Sequence, residues 1–404
     1  MVLKVGIIST YWKPHFGGGE KYVYNMVKEL SLYEGLDIKG ITPTPINAER
    51  DNGDEELVVR LGEETQIKDF IGMRKWFDNH ALPYIIEEKY DIIILNNCRV
   101  RYHYNIDFVN LLKRNGIKCG IVHHDLGWGI VNTINSHYHE DWEEAAHSTL
   151  ESIEELRDAM NKSPLVTYQH LMMNLDSPIY FQPDFIIGNT KWSNRFIDID
   201  ESTPKYVLHP IIEKPPKEYP LLDKVNITML NPLYHKGRSY MVDLINDYDH
   251  KWTYRVLMGS YGNGQNTKDF MRMINDSWAM KEGRVEIVNY VDNIYSAFAS
   301  TDLFIFPSRY EGYGMAAIEP MLIGTPVIVQ DYPSIIEAVG EGAYSIKWGS
   351  SSTEWTDAVE EILYDSEEFE QKSLKRGEFI LTRQEEELDG LIEFLEELLK
   401  TGVN

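Results

Sequence analysis

Two glutamates, Glu311 and Glu319, stand eight residues apart in Pro307-Ser308-Arg309-Tyr310-Glu311-Gly312-Tyr313-Gly314-Met315-Ala316-Ala317-Ile318-Glu319-Pro320. A carboxylate accepts hydrogen bonds from two neighbouring hydroxyls, so Glu319 can hold a ribose diol while Glu311 faces a sugar. Gly312 and Gly314 let the backbone approach a ligand where a β-carbon would clash. The stretch follows the apolar run from Asp302 to Phe306 and leads into helical spacing. That order puts the glutamates beyond the carboxyl end of a strand, where ligands gather in open α/β sheets. The start of the following helix would turn unpaired amides and its positive end toward a phosphate. In a chain this acidic, two glutamates at this spacing arise by chance; the preceding strand, the glycines, the helix and the return through Gly324-Thr325-Pro326-Val327-Ile328-Val329 together carry the pattern.

Lys236 lies in Asn231-Pro232-Leu233-Tyr234-His235-Lys236-Gly237, after another apolar run. An ammonium there can neutralise a departing diphosphate. Near the amino terminus, Phe16-Gly17-Gly18-Gly19-Glu20 sits between the first strand and the first helix, a place where glycine-rich loops admit phosphates or sugars. It matches neither the dinucleotide fingerprint nor a Walker lysine loop, so a plain tight turn fits it equally well. His123-His124-Asp125 closes the run from Ile117 to Val122 at the same kind of strand edge. Asp198-Ile199-Asp200 and Asp247-Tyr248-Asp249 read as exposed acidic loops, and the histidines lack paired ligand spacing, so no metal is expected. There is no G-x-S-x-G elbow and no H-E-x-x-H helix.

The elements that must position these residues repeat one pattern. Short apolar runs alternate with amphipathic stretches, beginning with Leu3 to Ser9, the helical spacing Val23, Met26, Val27, Leu30, and Asp37 to Thr42. Asp91 to Leu95, Ile117 to Val122 and Asp184 to Gly188 are continuous apolar runs of the kind that a parallel sheet covered on both faces produces. The pattern restarts with Val225 to Leu230, Tyr254 to Met258, Val285 to Val288, Asp302 to Phe306 and Pro326 to Val329. A length of 404 residues fits two domains of about 200 residues each. The expected fold class is α/β, with two Rossmann-like, doubly wound domains.

Residues 1–205 are expected to form the first, acceptor-side domain, interrupted by an acidic, helical insertion at about 127–180 that either shapes an acceptor site or is a surface excursion. Residues 206–224 form a linker, marked by the crowding of Pro204, Pro210, Pro215, Pro216 and Pro220. Residues 225–380 form the second domain. A final helix over 381–404 carries one apolar stripe through Leu388, Leu391, Ile392, Leu395, Leu398 and Leu399.

Composition excludes several function classes. A formal charge of −25 disfavours extensive binding to nucleic acid, while leaving a small phosphate site open to a few well-placed cations. No apolar stretch reaches the roughly 18 residues of a membrane span, and the first residues read as a strand rather than a signal peptide. The two cysteines, Cys98 and Cys119, make no disulfide framework and suit a reducing compartment, so a cytoplasmic location is expected. Contact with a membrane surface stays open, although no basic amphipathic helix argues for it.

The stretch from Glu311 through Val329 resembles the E-x7-E signature of retaining GT-B glycosyltransferases of family 4, the glycosyl transferases of group 1. The likeness is strong in sequence from about residue 285 to 340 and extends elsewhere only as element order. It implies two Rossmann-like domains facing a cleft, with the last helix returning to the first domain. It also implies a nucleoside-diphosphate sugar as donor, UDP ahead of GDP, and no required cofactor or metal.

By that resemblance Glu319 binds the donor ribose and Glu311 the transferred sugar, while the Gly312–Tyr313–Gly314 turn and the amides of Gly314, Met315 and Ala316 meet the sugar and distal phosphate. Lys236 neutralises the diphosphate. Gly17 and Gly18 lie against donor and acceptor, His124 contacts the donor sugar, and Tyr290, in Asn289-Tyr290-Val291-Asp292, lies where relatives hold the base. One departure stands out. An arginine commonly precedes the lysine by five positions, and here that position is Asn231, so either Asn231 gives a neutral hydrogen bond or Arg238 supplies the second charge. The acceptor is not identified by the sequence. A GT-B epimerase or phosphorylase, a non-catalytic nucleotide-sugar-binding protein and a phage-type DNA-base transferase remain alternatives.

Overall fold

The computed structural model describes residues 2–9, 12, 18–43, 56–62, 70–96, 103–124, 183–194, 202–247, 249, 251–259, 264–289, 291, 293–309, 311–347 and 349–400. The insertion expected at 127–180, and Gly17 and Tyr290, lie outside the described residues. The chain divides into two compact units, one of residues 1–139, 150–211 and 384–404, the other of 140–149 and 212–383.

The first unit holds a seven-stranded sheet built from β1 (Leu3–Ile8), β2 (Leu36–Thr42), β3 (Val58–Arg60), β4 (Ile92–Leu95), β5 (Lys118–His123), β6 (Phe185–Gly188) and β7 (Lys205–Val207). Their spatial order is β3-β2-β1-β4-β5-β6-β7, and every pair is parallel. The strands β4 (Ile-Ile-Ile-Leu) and β6 (Phe-Ile-Ile-Gly) are buried along their whole length, as expected for a parallel sheet covered on both faces. On one face the helix α1 (Gly18–Leu30) lays Tyr22, Val23, Met26, Val27 and Leu30 over Val5, Ile7, Ile92 and Ile94. On the other, Phe77, Ile85, Phe108 and Leu112 pack against Ile93, Leu95 and Ile121.

The second unit holds a six-stranded parallel sheet of β8 (Val225–Leu230), β9 (Tyr254–Leu257), β10 (Val285–Val288), β11 (Thr301–Phe306), β12 (Val327–Gln330) and β13 (Tyr344–Ile346), in the order β10-β9-β8-β11-β12-β13. The helix α2 (Arg238–Asn246) buries Met241, Leu244 and Ile245 on this sheet, and the short helix α3 (Met315–Met321) follows β11. The last helix, α4 (Ser366–Lys400), begins fifteen residues before the expected start at 381. Its residues through Arg383 fall in the second unit and those from Gln384 onward in the first. The predicted apolar stripe is real: Leu388, Leu391, Leu395 and Leu398 are buried in the core under α1.

Both sheets reverse direction in the same way. Strand order runs outward from β1 one way and from β4 the other, and likewise from β8 and β11. Such a reversal opens a crevice at the carboxyl ends of the two central strands, because their connections leave toward opposite faces of the sheet. The proline-rich stretch contains one surprise, since Lys205–Val207 pairs with β6 before the prolines take over. As an edge strand it needs donors on only one side, which is where a proline-flanked segment can still join a sheet.

Candidate functional site

The crevice of the second sheet is lined by the chain leaving β8 and the chain leaving β11, which are neighbouring parallel strands. Gly237 binds the two loops together. Its φ of 74° is left-handed, and a β-carbon there would lie 2.0 Å from the Pro307 carbonyl oxygen. Only glycine fits both constraints. The close approach brings Lys236 to Glu311, whose Oε1 accepts from the lysine Nζ; the side chains are only 24% and 15% exposed. The same Oε1 accepts from the Ser308 hydroxyl at 2.7 Å, and the Glu311 carbonyl accepts from Ser334 Oγ at 2.6 Å. Glu311 is therefore held by its backbone and by its carboxylate. A second contact joins the loops, with the Arg309 guanidinium 4.7 Å from the centre of the Tyr234 ring.

Gly314 caps α3 in the left-handed region at φ 91° and offers no side chain to the helix amides, so the first turn at Met315 and Ala316 presents backbone donors without a side-chain cap. Glu319 lies on the following turn, partly buried. Burial first, then the Glu319 and Glu213 carboxylates, push the neighbouring Tyr295 hydroxyl up. Gly312 is partly exposed in the turn between the two glycines' ends. Tyr313, between the two glycines, has its side chain turned inward. It is 3% exposed, and its hydroxyl accepts from Arg383.

The two candidates for the missing arginine differ in geometry. Asn231 has a φ of 55°, and its amide donates to the Leu257 carbonyl at 2.7 Å. Its carboxamide turns onto Gly259, with Oδ1 buried and unpartnered. Arg238 opens α2, partly exposed, and no other described residue engages its guanidinium. Of the two, Arg238 is the one with a charge to offer.

Gly18 and His124 belong to the first unit and are described within it. Gly18 is the first residue of α1. His124 follows β5, and its Nε2 lies 2.5 Å from Asn96 Oδ1 at the end of β4. Asn96 Nδ2 donates to Ser9 Oγ, at the end of β1, at 3.0 Å. Asn189, at the end of β6, donates through Nδ2 to the His124 carbonyl. One polar residue per strand thus forms a hydrogen-bonded row along β1, β4, β5 and β6. The Tyr22 ring meets the His124 ring edge to face, 5.2 Å between centres, and its own hydroxyl is tied to the Leu208 carbonyl at 2.9 Å.

Sequence reasoning missed Ser9, Asn96, Asn189, Ser308, Ser334, Arg309 and Tyr234. Ser308, Arg309 and Tyr234 had a visible signal, standing inside the stretches that singled out Glu311 and Lys236. No group of three or more His, Cys, Asp or Glu able to hold a metal ion occurs among the described residues. In the D-x-D segment Asp247-Tyr248-Asp249, Asp247 Oδ1 accepts from the Asp249 amide, a local turn. No described helix is long and apolar enough to cross a membrane.

Two doubly wound parallel sheets in one chain, each with a central reversal, define a GT-B fold. The structure of sucrose-phosphate synthase from Thermosynechococcus elongatus is similar with a TM-score of 0.70 over 99% of this chain and 100% of that one, at 15% identity. A glycosyltransferase from Rickettsia africae gives 0.68 over 99% of both chains at 12% identity, and Anabaena HepE in complex with UDP-glucose gives 0.62 over 98% and 100% at 13%. The family can be named over the second unit: residues 224–377 match Glycosyl transferases group 1, and the chain carries that domain.

Curated relatives agree locally. An uncharacterized 41.2 kDa protein of the Klebsiella pneumoniae cps region is 27% identical over 30% of this chain and 31% of its own length. Mannosylfructose-phosphate synthase of Agrobacterium fabrum is 34% identical over 16% of this chain and 15% of its own, and D-inositol 3-phosphate glycosyltransferase of Nocardia farcinica is 29% identical over 21% and 19%. The matched stretches thus span less than a third of each of these relatives.

Proposed function

We propose that this chain is a retaining, metal-independent glycosyltransferase that moves a sugar from a nucleoside-diphosphate sugar, with UDP as the favoured base, to an unidentified acceptor, a glycan, a lipid, a small molecule or another group. The observation that carries the reading is the Lys236–Glu311 pair at the carboxyl ends of β8 and β11, clamped by Ser308 and by the close packing of Gly237. Negative charge develops on the departing diphosphate, and a preorganised cation stabilises it most where water is scarce. Lys236 supplies that charge, the amides at the start of α3 add donors, and Arg238 is the second cation. This set of protein groups is what supports a reaction without a metal.

Glu311 positions the sugar and Glu319 the ribose. On this reading Glu311 is a hydrogen-bonding carboxylate rather than a nucleophile, because its Oε1 already accepts from Lys236 and Ser308. The acceptor then attacks from the face on which the diphosphate leaves, and a phosphate oxygen receives its proton, which gives retention. Support for UDP comes from the likeness to HepE, whose structure holds UDP-glucose, and a cytoplasmic site fits the cytosolic supply of such donors.

The test begins with a thermal-shift screen of UDP-, GDP- and ADP-sugars, since selective binding to the folded state raises the melting temperature. The stabilising donor is then incubated with candidate acceptors, reading released nucleoside diphosphate and the anomeric configuration of the product. Isomerised donor without nucleotide release would establish an epimerase instead. Absence of stabilisation by every nucleotide sugar would remove the enzyme reading.

A further inference from the structure

The turn that carries Glu311 is held from a helix far away in sequence. Arg383 on α4, 70 positions beyond Tyr313, donates through Nη2 to the Tyr313 hydroxyl. A guanidinium has donors only, so the direction of that bond is fixed whatever else the hydroxyl engages. The same guanidinium stands 6.0 Å from the centre of the Tyr313 ring and 5.9 Å from that of Phe379. Two helical turns earlier, and therefore on the same face of α4, Arg376 donates to the Glu337 carbonyl at 2.9 Å and to the Ala338 carbonyl at 2.8 and 3.1 Å. Those carbonyls close the helix Pro333–Val339, whose carboxyl end favours a cation. At the opening of that helix, Ser334 donates to the Glu311 carbonyl at 2.6 Å.

The two anchors thus meet the turn at both ends, Arg383 at Tyr313 and Arg376 through Ser334 at Glu311. α4 is packed closely enough to serve as a base for them: a β-carbon on Gly377 would lie 2.8 Å from the Met321 carbonyl oxygen, at the end of α3. The arrangement also sets two cations near each other. Burial first, then the Arg383 charge, pull Arg376 down from its ordinary value.

We propose that Arg383, with Arg376 behind it, is a positioning residue for the candidate site, holding the backbone from Glu311 to Tyr313 and so the direction in which the Glu311 carboxylate faces. This deepens the reading of Glu311 as the group that positions the transferred sugar, and rests on it. Ser308 and Lys236 steer the carboxylate itself, while α4 steers the backbone that bears it.

Hydrogen exchange of the full-length protein without ligand tests the anchor, because exchange reports local opening. In Arg383→Leu the peptide covering residues 308–321 should exchange about tenfold faster, the factor set by one lost hydrogen bond, while peptides from β8 and β9 keep their rates. Tyr313→Phe removes only the hydroxyl and should give the same local rise, and the double variant no more than either single one. Tyr313→Phe carries the test if Arg383→Leu folds poorly. An unchanged rate in that peptide, or a rise spread over the whole second unit, overturns the proposal.

Calorimetry with UDP-glucose and with UDP tests what the anchor is for. Glu311 faces the sugar and Lys236 the diphosphate, so Arg383→Leu should weaken UDP-glucose about tenfold and UDP much less, with Arg383→Lys recovering part of the loss. Equal losses for the two ligands would show a general loss of structure and overturn positioning. If the wild-type protein binds neither ligand, the donor reading falls, and the sugar role of Arg383 with it. The exchange result still decides whether Arg383 holds the turn, so the two failures are told apart.

Discussion

At the β8/β11 junction opposite charges join the two loops, Lys236 against Glu311. At the β1/β4 junction the same kind of strand ends are joined by neutral groups, Ser9 and Asn96, with His124 alongside. The sheets share one topology, so the fold dictates where a ligand can approach but not what it meets there. A cation paired with a carboxylate suits a site that has to accommodate the changing charge of a diphosphate. A row of amides and a hydroxyl suits a site that orients an uncharged group, because it fixes direction without adding a field. Glu311 also keeps Lys236 from being an unpaired, partly buried charge.

The largest expected effect breaks the charged junction. Lys236→Ala should lower kcat/KM for the donor by about 10²- to 10³-fold, the usual loss when one preorganised group that stabilises developing charge is removed. Steady-state release of nucleoside diphosphate measures it, and a loss of less than about tenfold would mean that Lys236 does not stabilise the leaving group.

Gly237→Ala is the next step down. The added methyl collides with the Pro307 carbonyl and strains a left-handed backbone, so the second unit should lose about 2 kcal/mol, read from urea denaturation. Donor affinity should fall with it, because the two loops can no longer close on each other. An unchanged midpoint would mean that the loops move apart without cost.

The smallest effect belongs to the first unit at high pH. Burial first, then the Asp389 hydrogen bond and charge, push the Tyr33 hydroxyl from 10.0 up to about 12. Burial, followed by the carboxylates of Glu387, Glu393 and Asp389, does the same for Tyr206, also to about 12. Both phenols hold their protons more tightly when folded, so their contribution is complete below pH 10.0 and disappears as pH rises through about 12. Urea midpoints followed across that window should decline, and the double change Tyr33→Phe with Tyr206→Phe should flatten the decline. A slope that the double variant leaves untouched would place the alkaline sensitivity elsewhere.

Much of this architecture is legible in the sequence because burial on both faces leaves unbroken apolar runs. Ile92 to Leu95, Phe185 to Gly188 and Val327 to Val329 are such runs, and each lies in a strand with a neighbour on both sides. The strands that escape notice, Val58–Arg60, Lys205–Val207 and Tyr344–Ile346, are three residues long and lie at the sheet edges, where too few side chains are buried to leave a pattern. The site divides in the same way. Glu311 and Lys236 are legible because glycine turns after apolar runs mark strand ends. Ser9, Asn96 and Asn189 are not, because their meaning comes from partners that are 87, 28 and 65 positions away.

The continuity of α4 has a consequence for anyone dividing the protein. A fragment ending near residue 211 would contain every strand of the first sheet, yet lack Leu388, Leu391, Leu395 and Leu398, which complete the hydrophobic layer beneath α1. Such a fragment would bare that layer to water and tend to aggregate. A transplantable first half must therefore carry a C-terminal segment with it, and exchange of halves between relatives needs two matched crossovers rather than one.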